Sequence, residues 1–456
     1  MSGNGNGESR RPRIRVAIAG GGIAGLALAV GLAKKQPHAI EVRVYEAAAA
    51  YRDVGAGMAL HRNAIGAMGL VGPELARAYF GAALDMGEDA GTVMATEVFL
   101  AQGPHRGQRV AELGRAAGRK TVSRADLLAA FLALVPPECV CFGKRLVGVE
   151  ERPVHIDDDD DDGAGKEGKE EEAAVRLRFQ DGSHAEADCL LGADGIHSFV
   201  RRHLLGADHP ATSPKNHDGW QIYRVMVSAE EARRHINPKW TQHVPILLGA
   251  RGHVNCIPLN KGTRLSAGVA VRRGSGGGGG GAGAAAAAII TTSRSPRDLD
   301  DNDGKNSSES RRGDRQPLPL DPALYADYTE EAQQIIRLVA RGDTSASWAL
   351  SDHDHAPCYA RRGSAVAILG DAAHAALPFA GNGAAQALED AAVLDCLFGA
   401  VVGADDDGGH RRRRKAMMIE DVLLAYDHVR RPRSQAVVDI ARKFGRIYAY
   451  AEDGSK

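Results

Sequence analysis

Apolar residues along the chain fall into short blocks that end on glycine or an acidic residue, and each block is followed by helical spacing. Ile14 to Ala19 is apolar apart from Arg15 and stops at Gly20-Gly21-Gly22-Ile23-Ala24-Gly25, after which Leu26-Ala27-Leu28-Ala29 opens a helix. Glu41 to Glu46 reads as a second strand, ending on a carboxylate 21 residues beyond Gly25. Cys189 to Ala193 is another block, broken by Asp194-Gly195 before a helix start near Val200-Arg201. Trp220 to Val227 predicts a strand on which Gln221, Tyr223 and Val225 point one way while Ile222 and Arg224 point the other. A last block reaches Leu369-Gly370-Asp371-Ala372-Ala373-His374 and leads through Pro378 to Gly381-Asn382-Gly383 and a helix. Strand, tight turn and helix in repetition predict an α/β protein.

The turns carry the candidate chemistry. Gly20 allows a tight turn, Gly22 lets backbone approach a pyrophosphate, and Gly25 permits close packing of helix on strand. Glu46, at the end of the second strand, is placed to hydrogen-bond an adenosine ribose. This first motif alone does not separate NAD from FAD. Asp371 ends an apolar strand beside a glycine-rich turn, where a carboxylate can hold a ribityl hydroxyl while backbone N–H groups face an anion. That arrangement suits a flavin, and it implies that the two ends of the sequence build one site.

The GxGxxG turn, Asp194-Gly195 and Gly370-Asp371, in this order and approximate spacing, resemble the aromatic-hydroxylase group of flavoprotein monooxygenases, those like salicylate hydroxylase. The likeness covers nearly the whole chain outside its low-complexity segments and is greatest to fungal secondary-metabolism members. It implies a Rossmann-like FAD-binding domain of the PHBH type interleaved with a β-sheet substrate domain. By the same resemblance Arg52 to Leu60 passes along the FAD with its backbone near Ala59. Arg124, in Ser123-Arg124-Ala125-Asp126-Leu127, contacts the cofactor from a helix start. Asp194 and Asp371 belong to the cofactor site. Gly383 and Ala384 turn backbone N–H groups to the flavin pyrimidine edge, where a helix N-terminus stabilises negative charge. His374 is structural in such a family.

The resemblance further implies an enzyme that uses NAD(P)H and O2 to hydroxylate a small electron-rich aromatic, phenolic or polyketide-like, through a flavin C4a-hydroperoxide. Arg224 takes the role of the arginine that binds the substrate phenolate in fungal relatives. One departure stands out: some phenol-hydroxylating fungal relatives place a tyrosine before a strand proline where this chain has Ile257-Pro258. Tyr223 is a weak substitute, because strand alternation aims it away from Arg224's face. No second GxGxxG lies in a strand-turn-helix context, so the nicotinamide is expected in a transient groove. A flavin epoxidase or oxidase shares the same cofactor motifs. A non-catalytic prenyl-protein escort module and a plain NAD-dependent reductase are further alternatives. Glu46, Arg124 and Asp371 argue against the first, and the later two motifs against the second.

Composition narrows the rest. The 456 residues carry 57 Lys and Arg against 58 Asp and Glu, a net charge of −1, so no global field favours nucleic acid or an anionic membrane. Six cysteines without a CxxC pair suit a reducing compartment, and the polar Met1 to Arg13 stretch lacks the apolar core of a secretory signal. A cytoplasmic enzyme without a membrane span is the resulting expectation. His353-Asp354-His355 with Cys358 lacks a second ligand pair at motif spacing, so no metal is expected there. The organisation expected is a tail over 1–12, cofactor-binding parts over 13–205 and 356–400, and a substrate domain over 206–355. A solvated acidic loop over 157–172 and a disordered Gly/Ala-rich insertion over 274–316 interrupt it. A charged loop over 401–415, including the basic run His410 to Lys415, precedes C-terminal helices over 416–456.

Overall fold

The computed structural model describes residues 14–35, 38–51, 57–83, 93–117, 121–152, 174–259, 262–272, 319–342, 347–402 and 411–450. The acidic loop, the Gly/Ala-rich insertion and the Arg52 to Ala56 stretch lie outside them.

A five-stranded sheet runs Val366–Ile368, Cys189–Gly192, Ile14–Ala19, Ile40–Tyr45, Val140–Cys141, and every pairing in it is parallel. Its strands are apolar nearly throughout because helices cover them, as parallel sheets require. The Ile23–Lys35 helix has a buried residue at every position from Ile23 to Leu32, and it packs on the Gly383–Val402 helix. The sequence ends therefore meet in one core. A three-stranded antiparallel sheet of Leu146–Glu151, Val175–Phe179 and His184–Ala187 flanks this unit.

The second layer is a seven-stranded sheet in the order Ser347–Ala349, Trp220–Ser228, Arg264–Arg272, Gly252–Leu259, Val244–Gly249, Val93–Leu100, Arg109–Ala117. It draws its last two strands from a stretch that the sequence reading grouped with the cofactor-binding part. One face is closed by the Glu330–Arg341 helix, whose buried Ala332, Ile335, Ile336 and Val339 recur at helical spacing. They cover Tyr223, Val254, Cys256, Ala267 and Val269, and each aliphatic side chain so buried contributes roughly 1.5–3 kcal/mol. The opposite, inner face turns toward the cofactor-binding unit. There Trp220, Ile222, Leu248 and Ala270 pack with Leu377, Phe379, Ala441 and Tyr448.

The basic run is not a loop from Arg411 onward. It opens the 38-residue Arg411–Tyr448 helix, and Lys415 pairs with the buried Asp188 at 2.7 Å. A nearby carboxylate gives that end of the run a partner inside a helix. Pro432 cannot donate within the helix, and two residues on Ser434 Oγ donates to the Arg430 carbonyl at 2.9 Å. Among the described residues no helix is long and apolar enough to cross a membrane.

Candidate active site

The first glycine turn has the shape of a dinucleotide cradle. Gly20 has φ +104°, and a Cβ there would lie 2.4 Å from the Ala193 carbonyl oxygen; one on Gly25 would lie 2.1 Å from the Gly20 carbonyl oxygen. Both positions must stay bare for strand, turn and helix to close up. Gly22 differs, because a Cβ there would meet nothing within 4 Å. The space before the Ile23–Lys35 helix N-terminus is open, as an incoming phosphate needs. Glu46 fixes the turn from the second strand: its carboxylate accepts from Gly21 N and Ala48 N, both at 2.8 Å.

The second glycine turn lies against the first. Gly370, at φ +59°, faces the Ala24 side chain, 3.1 Å from where its own Cβ would be. Asp371 begins the short Asp371–His374 helix, is exposed, and makes no side-chain hydrogen bond or ion pair among the described residues. The Gly383–Val402 helix starts at Gly383, where a Cβ would again meet open space, with Ala384 half-buried beside it. Asn63 donates to the Asn382 side chain at 3.1 Å, tying this turn to the segment that follows Ala59. Ala59 lies on the Gly57–Ala59 strand, which pairs with Thr121–Ser123 and so sets Arg124, first residue of the next helix, at the same edge. Open glycines, two helix N-termini and an unpaired aspartate along one path fit an extended dinucleotide such as FAD.

Asp194 is placed differently. Its carboxylate accepts from Phe199 N at 2.7 Å, from Val200 N at 3.0 Å and from Ser198 Oγ, capping the Phe199–Leu205 helix. Burial raises its pKa against the pull of those donors. The side chain is occupied within the protein.

A buried ionic core supports the Gly370 turn. Asp390, fully buried, accepts from Gly370 N at 2.8 Å, from Arg430 Nε at 2.7 Å and lies 2.6 Å from His374 Nε2. Burial alone would raise the Asp390 pKa, but the charges and hydrogen bonds of His374 and Arg430 lower it overall. Arg430 also reaches Glu389 at 2.6 Å and Gln386 Oε1 at 2.7 Å. His374 is thus held as a structural group. Arg201 closes the other side, donating to the carbonyls of Ala372 and Ala373 at 2.9 and 2.7 Å. The sequence reading missed Asp390, Arg430 and Arg201; the signal for the first was a run of polar residues in an otherwise apolar helix. His353, Asp354 and His355 go to three different partners, Ile196 O, Lys215 and Asp439. Among the described residues no group of three or more His, Cys, Asp or Glu is arranged to hold a metal.

Arg224 lies on the inner face of the seven-stranded sheet, as the strand alternation predicts, while Tyr223 lies among the residues under the Glu330–Arg341 helix. The guanidinium sits over the Trp348 ring, 5.6 Å from its centroid, and has no hydrogen bond or ion pair among the described residues. Burial pushes its pKa down from the ordinary value. Ile257 is half-buried on the same face, and a Cβ on Gly57 would lie 3.1 Å from its Cγ2, so the cofactor-side ribbon touches the sheet there. Farther in, His253 is enclosed by Trp220, Phe379 and Tyr448 with ring centroids 5.2–6.2 Å away. Its Nδ1, Trp220 Nε1 and Tyr448 Oη are buried without hydrogen-bond partners, and burial lowers the imidazole pKa to about 3.

No protein-family model matches the chain. A 6-methylsalicylate 1-monooxygenase of Aspergillus terreus is 32% identical over 432 residues, which cover 94% of this chain and 82% of the relative. The chain belongs to the FAD-dependent flavoprotein monooxygenases of the salicylate hydroxylase group. An FAD-dependent monooxygenase of Aspergillus niger is 31% identical over 95% of this chain and 87% of its own. A salicylate hydroxylase solved as a substrate complex superposes with TM-score 0.66 and 25% identity, covering 97% of this chain and 90% of that one. The enzyme is therefore an oxidoreductase with FAD as cofactor, built on the PHBH-type fold.

Proposed function

We propose that this monooxygenase, with NAD(P)H and O2, hydroxylates a small electron-rich aromatic carrying an anionic oxygen, and that Arg224 holds that oxygen. The observation that carries the reading is the Arg224 guanidinium itself, drawn into the inner face with no ionic partner. Arg224 is half-buried with its donors open to the space on that face, so an anionic group can reach them. Trp348 supports it by a cation–π contact while leaving its donors unused.

Bound FAD supplies the dioxygen chemistry, with the nicotinamide as electron source. In this reading Gly20, Gly22 and Gly25 with the following helix N-terminus receive the pyrophosphate, and Glu46 takes the adenosine ribose. Ala59 and Arg124 line the cofactor's path, Asp371 holds a ribityl hydroxyl, and the Gly383 and Ala384 N–H groups meet the flavin ring. Asp194 contributes through its backbone. The apolar wall of Ile257 and Trp348 excludes water from the ring's surroundings. Arg224 then orients the aromatic and favours the anionic form of its oxygen, the form whose electron density makes the ring reactive toward an electrophilic oxygen.

Arg224→Ala is expected to keep stoichiometric flavin and to lose product formation by roughly 100-fold, about 2.7 kcal/mol of transition-state stabilisation. Product analysis with NAD(P)H and a panel of phenols and aromatic acids checks this. Near-normal turnover by the flavin-loaded variant would overturn the assignment.

A further inference from the structure

The register of three adjacent strands places Arg224, Gly268 and Asn255 in one row, Arg224 opposite Gly268 and Gly268 opposite Asn255. Residues in such a row face the same side of the sheet. With neighbouring strands about 4.8 Å apart, the backbones of Arg224 and Asn255 stand roughly 10 Å from each other. Between them Gly268 offers no side chain. Asn255 Oδ1 leans over it, 2.7 Å from where a Cβ on Gly268 would be. Arg224 is drawn the opposite way, over Trp348.

The row on one side is filled by Ile222, Ala270 and His253 under the aromatic cluster. On the other side stand Met226, Ser266 and Ile257, the last touched by the cofactor-side ribbon at Gly57. The space above Gly268 is therefore walled at both ends of the strands and flanked by two polar side chains. Asn255 is half-buried, and its amide makes no hydrogen bond among the described residues. An amide offers both a donor and an acceptor, so it matches a neutral hydroxyl, whereas a guanidinium matches an anion. Asn255 is half-buried rather than enclosed, so its amide stays open to an incoming ligand group.

We infer that Asn255, kept in position by the absence of a side chain at Gly268, is a specificity-determining residue that reads a neutral hydroxyl on the aromatic ring whose anionic group rests on Arg224. This inference rests on the Arg224 reading above. It explains why a strand interior carries glycine at 268, where a methyl group would displace the amide.

The test uses the flavin-loaded enzyme and two probes, salicylate and benzoate, which share a carboxylate and differ by the hydroxyl. Dissociation constants come from the change each probe makes in the flavin absorbance. The wild type is expected to favour salicylate by at least tenfold, and Asn255→Leu to bring the ratio within about twofold by weakening salicylate alone. Gly268→Ala, a smaller change at a different residue, is expected to move the ratio in the same direction. Flavin stoichiometry and melting temperature confirm that each variant is folded. A salicylate preference unchanged in both variants, with Arg224→Ala still weakening both probes, overturns the role of Asn255 and leaves the role of Arg224 standing. Binding of both probes unaffected by Arg224→Ala overturns the Arg224 reading and the inference built on it.

Discussion

Arg430 and Arg224 are two partly or wholly buried arginines in opposite situations. Arg430 sits beneath the Gly370 turn with Asp390, Glu389 and Gln386 as hydrogen-bond acceptors. Arg224 sits on the inner face of the sheet with a tryptophan ring and no acceptor among the described residues. The same contrast separates Asp390, enclosed and fully satisfied, from Asp371, nineteen residues earlier in the chain, exposed and unpaired among the described residues. Asp390 and Arg430 are saturated by the fold, whereas Asp371 and Arg224 have open hydrogen-bonding groups among the described residues, which is what their proposed ligand roles require. Glu46, whose carboxylate accepts from Gly21 N and Ala48 N, shows that occupancy alone does not sort the two kinds.

Three substitutions sharpen or break this division. The largest effect is expected of Arg430→Met, which strands Asp390 and Glu389 without their cation; removing one partner of a buried pair costs about 3–5 kcal/mol. Urea unfolding should show that loss, and an equal loss in Arg224→Met would erase the distinction drawn here. Asp371→Ala should leave the melting temperature of the flavin-free protein unchanged while weakening FAD by about tenfold or more, read by flavin retained after dialysis. Full retention would count against its ribityl role.

The smallest effect concerns His253, a buried base whose Nδ1 lacks a partner. Its folded pKa, about 3, lies below the ordinary 6.5, so proton uptake favours the unfolded chain. Stability from this group is complete above about pH 6.5 and falls as pH drops toward 3, by up to about 1.4 kcal/mol per pH unit. His253→Phe is therefore expected to gain about 1–2 kcal/mol over the wild type at pH 5 compared with pH 7.5. Denaturant midpoints at the two pH values decide it, and parallel acid sensitivity in both proteins would remove His253 as a cause.

The sequence made legible whatever is written within a few neighbouring residues. The Gly20 to Gly25 turn, Glu46 after its strand, Asp371 after its own, and the side on which Arg224 points all follow from local periodicity and turn chemistry. Residues paired across long separations were not legible. Asp390 and Arg430 look like ordinary helix polar residues until forty positions are folded onto each other. Asn255 acquires meaning only when strand register sets it beside Gly268 and Arg224. The two strands between Val93 and Ala117 join a sheet whose other members begin at Trp220, and no local pattern announces that partner. Lys415 shows the same limit, since its place in a helix is favoured by a carboxylate 227 residues earlier.

The parallel sheet has an order in time as well as in space. Its central strand, Ile14–Ala19, leaves the ribosome first, whereas Val366–Ile368, which covers one edge of Cys189–Gly192, emerges last of the five. Until then that apolar edge has no partner, and Asp371 and the Gly383 turn do not yet exist as structure. Nascent chains of this enzyme must wait, with a sticky strand uncovered, while residues 193 to 365 are made. A chain that stops before Val366 therefore ends with that edge uncovered and without the turn at Gly370.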